Sequence, residues 1–217
     1  MHNKILSFSA ALNLAAAIVY RDDIDDVNRY KQDPSQWPFT FPYQYDSSDE
    51  DWICAATMIS PRHAITAAHC FDGVPDNWSV VINNKTYTVI ETRLNPCYDL
   101  SSMEPVSADM AILVLDRDVD EETGFVDIYD IDPETGYGSE IGKRFTLMGW
   151  GEYGPMGEMP DAYGDFHAGE NEWKRIENGM LVYSMDRRSE GGLELEAMAW
   201  EGDSGGPGFI EVSPGVL

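Results

Sequence analysis

The sequence predicts an all-β protein, and three observations carry that reading. Apolar residues fall in short runs of strand length bounded by turn signals. No segment sustains a 3.6-residue period, which argues against a helical bundle. The composition, 43% hydrophobic and 24% charged over 217 residues, is that of a globular chain rather than a disordered one. That length suits one large domain or two small halves packed together.

The elements follow in chain order. Met1 to Lys4 is short and carries one firm positive charge, and Ile5 to Ala17 is mostly apolar and uncharged. Ala15-Ala16-Ala17 is a small-residue cleavage pattern, so 1–17 reads as an export leader and the protein as secreted and extracellular. Ser7, Ser9 and Asn13 interrupt the apolar run, which is too short to span a bilayer, and no later segment is apolar enough to do so. An acidic stretch, Arg21 to Asp51, carries turn signals at Asp33-Pro34 and Trp37-Pro38. Strands are expected from Trp52 to near Pro61, over Ala64 to Thr66 and over Trp78 to Ile82. Asn83-Asn84 then separates Trp78–Ile82 from Tyr87 to Ile90 as a hairpin turn would. Met110 to Leu115 is an unbroken apolar run, as a strand buried on both faces would be. The charged stretch Asp116 to Glu122 reads as a connection between two halves, and Arg144 to Trp150 as a strand of the second. Gly149, Gly151, Gly154, Gly157, Gly164 and Gly169 crowd the segment up to Glu172, which reads as a long loop.

Lys plus Arg number 14 against 39 Asp plus Glu, a net charge of −25. Such a surface repels phosphate backbones and anionic lipid, which disfavours nucleic-acid and membrane partners and favours cationic ones. The triplets Asn77-Trp78-Ser79 and Asn84-Lys85-Thr86 are N-glycosylation sequons and agree with export. Three cysteines, Cys54, Cys70 and Cys97, are too few for a disulfide scaffold and lack the spacing of a zinc site, so no metal is expected. In an oxidising compartment two of them can pair, which leaves one over.

Three clusters carry chemistry. In Gly202-Asp203-Ser204-Gly205-Gly206-Pro207, a serine sits among glycines whose backbone N–H groups can approach an oxyanion without a Cβ in the way. Serine is a weak nucleophile until a base takes its proton. Thr66-Ala67-Ala68-His69-Cys70 offers that base, a histidine at the end of a strand. A lone histidine is more often structural, and its neighbours reverse the balance. Asp109 opens the apolar run to Leu115, where a carboxylate is costly to bury without a partner. It either faces water or accepts the imidazole N–H of His69 and fixes its tautomer.

In this order, Thr-Ala-Ala-His-Cys, Asp-Met-Ala-Ile-Leu and Gly-Asp-Ser-Gly-Gly-Pro resemble the motifs of the trypsin/chymotrypsin family of serine peptidases. Met148-Gly149-Trp150-Gly151 is similar to that family's Gly-Trp-Gly strand. The resemblance runs from about Ile18 to the end. It implies two antiparallel six-stranded β-barrels with the active site between them, an N-terminal one over 18–123 and a C-terminal one over 124–217. It implies His69 as base, Asp109 as orienter, Ser204 as nucleophile, and the N–H groups of Gly202 and Ser204 as oxyanion donors. It pairs Cys54 with Cys70 and places Met198 at the base of the specificity pocket. It also implies an activation salt bridge between a freed Ile18 amino terminus and Asp203. The function implied is a secreted serine endopeptidase that hydrolyses peptide bonds of protein or peptide substrates as a monomer through an acyl-enzyme, with no cofactor. The alternative is a catalytically impaired, peptidase-like binding protein.

Several residues depart from the family pattern. Cys54-Ala55-Ala56 stands for Cys-Gly-Gly, Tyr20-Arg21 for the glycines after Ile-Val, and Trp200 for a pocket cysteine. Met198 argues against a trypsin-type preference for Arg or Lys, unless Glu194, Glu196 or Glu201 supplies the charge. Only Gly205 to Leu217 follow Ser204, where family members continue through a Ser-Trp-Gly strand and a helix. A C-terminally truncated chain with an incomplete second barrel is therefore expected.

Overall fold

The computed structural model describes residues 5–7, 16–44, 53–71, 77–129, 139–157 and 162–211. Most of the expected leader therefore lies outside the described residues. Only the backbone of its strand β1 (Ile5–Ser7) and of the start of β2 (Ala16–Tyr20) is described.

The first half is one sheet of six strands: β3 (Thr40–Tyr43), β4 (Cys54–Ser60), β5 (His63–Thr66), β6 (Trp78–Ile82), β7 (Lys85–Leu94) and β8 (Ala111–Leu115). Their order is β3-β4-β5-β8-β7-β6, and every pairing is antiparallel. The terminal strands β3 and β6 approach one another, so the sheet nearly closes into a barrel. Five of the strands lie where the apolar runs place them, with β7 extending past Tyr87–Ile90 at both ends, whereas β3 lies in the stretch read as acidic and turn-rich. Within β8, Ala111, Leu113, Val114 and Leu115 are all buried, as a strand covered on both faces requires. Asn83 and Asn84 take φ of 46° and 61° between β6 and β7, the left-handed pair that a tight hairpin needs.

The remaining strands form smaller sheets. They are β9 (Asp127–Ile128), β10 (Arg144–Gly149), β11 (Glu152–Pro155), β12 (Ala162–Tyr163), β13 (His167–Glu172), β14 (Arg175–Glu177), β15 (Met180–Val182), β16 (Ala197–Trp200) and β17 (Gly208–Ile210). One sheet runs β13-β10-β17-β1-β9, a second β12-β11-β2-β16, and β14 pairs with β15. This half is therefore a set of sheets around a second apolar cluster of Ile18, Tyr20, Tyr30, Phe145, Leu147, Trp173, Ala197 and Ile210. Helical structure among the described residues is limited to short 3-10 turns, the longest being Val27–Tyr30. The protein is all-β.

The glycine-rich stretch differs from its reading as a loop, because β11, β12 and β13 run through it. Tight packing explains the composition. A Cβ on Gly169 would overlap the Ala197 side chain, and one on Gly149 would overlap the Asp203 carboxylate. These glycines are strand positions pressed against a neighbour.

The larger apolar cluster crosses between the halves. It joins Phe39, Ala55, Met58 and Leu113 of the first to Met148, Trp150, Phe166 and Phe209 of the second. Trp37 stacks on Phe209 with centroids 5.4 Å apart, and Phe39 meets the same ring edge-on at 5.4 Å. The strand after Ser204 is thus held against the first half by aromatic contacts.

Candidate active site

β5 ends at Thr66, and the chain turns through a single 3-10 turn, Ala68–Cys70, that carries His69. A disulfide between Cys54 and Cys70, Cα atoms 6.4 Å apart, ties that turn to the start of β4. The family-implied pairing is the one present, and Cys97 is an exposed free cysteine. Asp109 caps a second 3-10 turn, Val106–Ala108, two residues before β8. β5 and β8 are neighbours, with Thr66 opposite Ala111, so both turns leave the same end of the sheet.

That end brings the side chains together. Asp109 is 7% exposed and accepts from the His69 backbone N–H at 2.8 Å and from Nδ1 at 2.5 Å. An ionised carboxylate can only accept, so Nδ1 carries the proton and Nε2 is left as an acceptor. Nε2 lies 2.8 Å from the Ser204 hydroxyl. A base in contact with a hydroxyl, and oriented by a buried carboxylate, can take up a proton as that oxygen attacks an electrophile.

Ser204 reaches this position because its loop docks on the first half. Its carbonyl accepts from the Ala55 N–H at 2.8 Å. Gly205 has φ of 78°, and a Cβ there would overlap Thr66 Oγ1 and the Ala55 carbonyl. Thr66 Oγ1 donates to that carbonyl at 2.8 Å and lies 2.9 Å from the buried Tyr43 hydroxyl. Gly202 has φ of 91°. Among the described residues, the backbone N–H groups of Gly202 and Ser204 donate to no acceptor.

Asp203 points the other way. Its carboxylate is 7% exposed, lies against Gly149, and receives the N–H of Gly151 at 3.3 Å and of Trp200 at 3.4 Å. No cation pairs with it among the described residues, and burial pushes its pKa up to about 7, the Gly151 bond only partly opposing this. Ile18 lies inside β2, which pairs with β16 so that Val19 faces Met198 and Ala16 faces Trp200. With residues 1–17 attached, the Ile18 nitrogen is an ordinary peptide N–H. Met198 is half-buried within β16.

Two of the neighbouring acids are committed elsewhere. Glu194 pairs with Arg29 at 2.8 Å. Glu196 is buried and accepts the backbone N–H groups of Asp186 and Leu193. Glu201 is exposed beside Gly202, and its carbonyl takes the Glu152 N–H at 2.8 Å. Burial, and then the nearby Glu201 charge, raise the Glu152 pKa. Sequence reasoning missed the parts played by Ala55, Thr66, Gly149 and Gly151, because each acts through contacts far along the chain. The one local signal was the small-residue composition at three of these positions.

Comparison with known proteins bears on the family and the fold. The Trypsin family model matches residues 26–213. Granzyme-like protein 1 of Rattus norvegicus is 25% identical over 193 residues, covering 83% of this chain and 75% of the rat protein. Atrial natriuretic peptide-converting enzyme of Homo sapiens is 31% identical over 133 residues, 56% of this chain but 12% of the human protein. Among solved structures, neuropsin, a serine protease expressed in the limbic system of mouse brain, superposes with a TM-score of 0.60 at 19% identity, over 83% of this chain and 81% of its own. With a family model spanning most of its length and a matching all-β fold, the chain belongs to the trypsin family of serine peptidases.

Proposed function

We propose that the chain is a secreted serine endopeptidase in which Ser204, His69 and Asp109 act as a triad. The observation that carries this is the continuous hydrogen-bonded path from Asp109 through His69 to Ser204, at 2.5 and 2.8 Å. Ser204 Oγ attacks the scissile carbonyl carbon while His69 Nε2 takes the hydroxyl proton. Asp109 stabilises the resulting imidazolium and keeps Nε2 aimed at the reacting atoms. The N–H groups of Gly202 and Ser204 stabilise the oxyanion, whose charge develops only as the bond forms. The imidazolium then protonates the leaving amine. A water, deprotonated by the same Nε2, releases the acyl group from Ser204. The segment 18–123, whose first strand β2 pairs into the second half's sheets, supplies the base, the segment 124–217 supplies the nucleophile, and Met198 lies at the pocket base.

Asp203 gives the reading an activation step. A buried carboxylate without a cation favours an ammonium arriving beside it. Cleavage after Ala17 would create one at Ile18, on the strand that already pairs with β16. The disulfide is consistent with an oxidising, extracellular destination. The strong negative charge supports a monomer that acts on protein or peptide substrates, free of nucleic acid and membrane.

Fluorophosphonate labelling tests the proposal. The wild-type chain should label and cleave peptide substrates, and Ser204→Ala should abolish both, lowering turnover by about 10⁶-fold. A folded wild-type chain that neither labels nor cleaves would favour a binding role instead.

A further inference from the structure

One sequon plays no part in this chemistry. Asn84-Lys85-Thr86 begins at the tip of the β6–β7 hairpin, where Asn83 and Asn84 both take left-handed φ. Residues 83 to 86 are all exposed. The Asn84 carboxamide makes no hydrogen bond to any described residue, whereas Lys85 is drawn aside to Asp120. The acceptor nitrogen therefore stands free at a chain reversal, with the Thr86 hydroxyl two residues on and also at the surface. The other triplet differs. Trp78 of Asn77-Trp78-Ser79 packs 5.2 Å from the Tyr43 ring and donates to Thr92, so its centre is folded into the barrel.

The register places Asn84 well away from Ser204. β7 pairs with β8 from Leu94 opposite Ala111 to Val89 opposite Leu115. Ala111 marks the end that carries Asp109 and His69. Asn84 precedes the opposite end of β7, about 30 Å of strand contour away at the usual rise per residue. A bulky group there clears the cleft. It also stands beside β6, the last strand of the sheet, whose Val81 is 56% exposed.

We propose that Asn84 is an N-glycosylation site. The proposal rests on the export reading above, because the donor is a lipid-pyrophosphate-linked oligosaccharide met on the secretory route. The Asn84 amide nitrogen attacks the anomeric carbon of the donor sugar. A nitrogen–carbon bond forms, the carbon–oxygen bond to the pyrophosphate breaks, the lipid pyrophosphate leaves with the electron pair, and the amide gives up one proton.

The test expresses the full chain in a eukaryotic secretory cell, once with its own residues 1–17 and once with a proven leader in their place. Secreted protein is treated with peptide N-glycosidase in heavy-oxygen water, and the peptide containing position 84 is read by mass spectrometry. We expect a labelled aspartate at 84 and a mobility shift on treatment. Thr86→Ala should remove the label at 84 without altering the asparagine, and Asn84→Gln should remove it too. Both variants should keep fluorophosphonate labelling at Ser204, which reports that they fold. Recovery of unmodified Asn84 from protein exported by the proven leader would overturn the proposal. Glycosylation with the proven leader alone would sustain the site and refute the export reading of residues 1–17.

Discussion

His69 and Asp109 stand on one continuous sheet, whereas Ser204 stands among several smaller ones. In the first half, His69 and Asp109 leave the same end of adjacent antiparallel strands, and a disulfide fixes the turn that carries His69. The two hydrogen bonds between them involve no residue of the second half. The loop that carries Ser204 is instead docked on the first half, through the Ala55–Ser204 hydrogen bond and the fit of Gly205 against Thr66. It also carries a buried carboxylate, Asp203, that no cation pairs with among the described residues. The contrast shows a self-contained half that orients a proton acceptor and a dependent half whose reactive group is placed by contact across the interface.

The most severe way to break the contrast is at its join. Asp109→Asn removes the charge that fixes the His69 tautomer, and turnover should fall by about 10⁴-fold, measured on a peptide substrate. The midpoint of thermal unfolding should move little by comparison, since an amide can still occupy the site.

Asp203 offers the next largest effect, and its sign follows from linkage. Its folded-state pKa lies above the unfolded value, so the folded chain holds the proton more tightly. The associated stability is fully present below about pH 4 and is lost as pH rises through about 7. The size is on the order of 4 kcal/mol in the unprocessed chain. Urea unfolding from pH 4 to 8 should show this decline. Asp203→Asn should flatten it, and so should a chain beginning at Ile18, if the new ammonium reaches the carboxylate. A decline that persists in the Ile18 chain would refute the activation pairing.

Gly205→Ala should cost about 3 kcal/mol, from a strained left-handed φ and overlap with Thr66 and Ala55. Labelling of Ser204 should fall with it, because the same contacts seat the nucleophile. Replacing both Cys54 and Cys70 by serine should cost about 3 kcal/mol, read in the same urea titration. That loss belongs to the first half, so it should be independent of pH between 4 and 8. A pH-dependent loss would mean that the two halves do not unfold as distinguishable contributions.

The sequence by itself determined five of the six strands of the first barrel, because alternation and short apolar runs are local signals that survive without tertiary information, whereas β3 lay hidden in an acidic stretch. Trp78–Ile82, the Asn83-Asn84 turn and Ala111–Leu115 all formed where composition placed them. It also singled out His69, Asp109 and Ser204 as the proposed triad, since their flanking residues are written contiguously around them. Only the tertiary structure decided how they meet. The bond from His69 to Ser204 spans 135 residues, and nothing local sets its length of 2.8 Å. The glycine-rich stretch became β11 to β13 because Gly149 and Gly169 press against Asp203 and Ala197, and such close approach exists only once distant segments have packed. The burial of Asp203 has the same origin: a carboxylate's cost depends on what surrounds it, and among the described residues its surroundings are Gly149, Gly151 and Trp200, brought together by the fold.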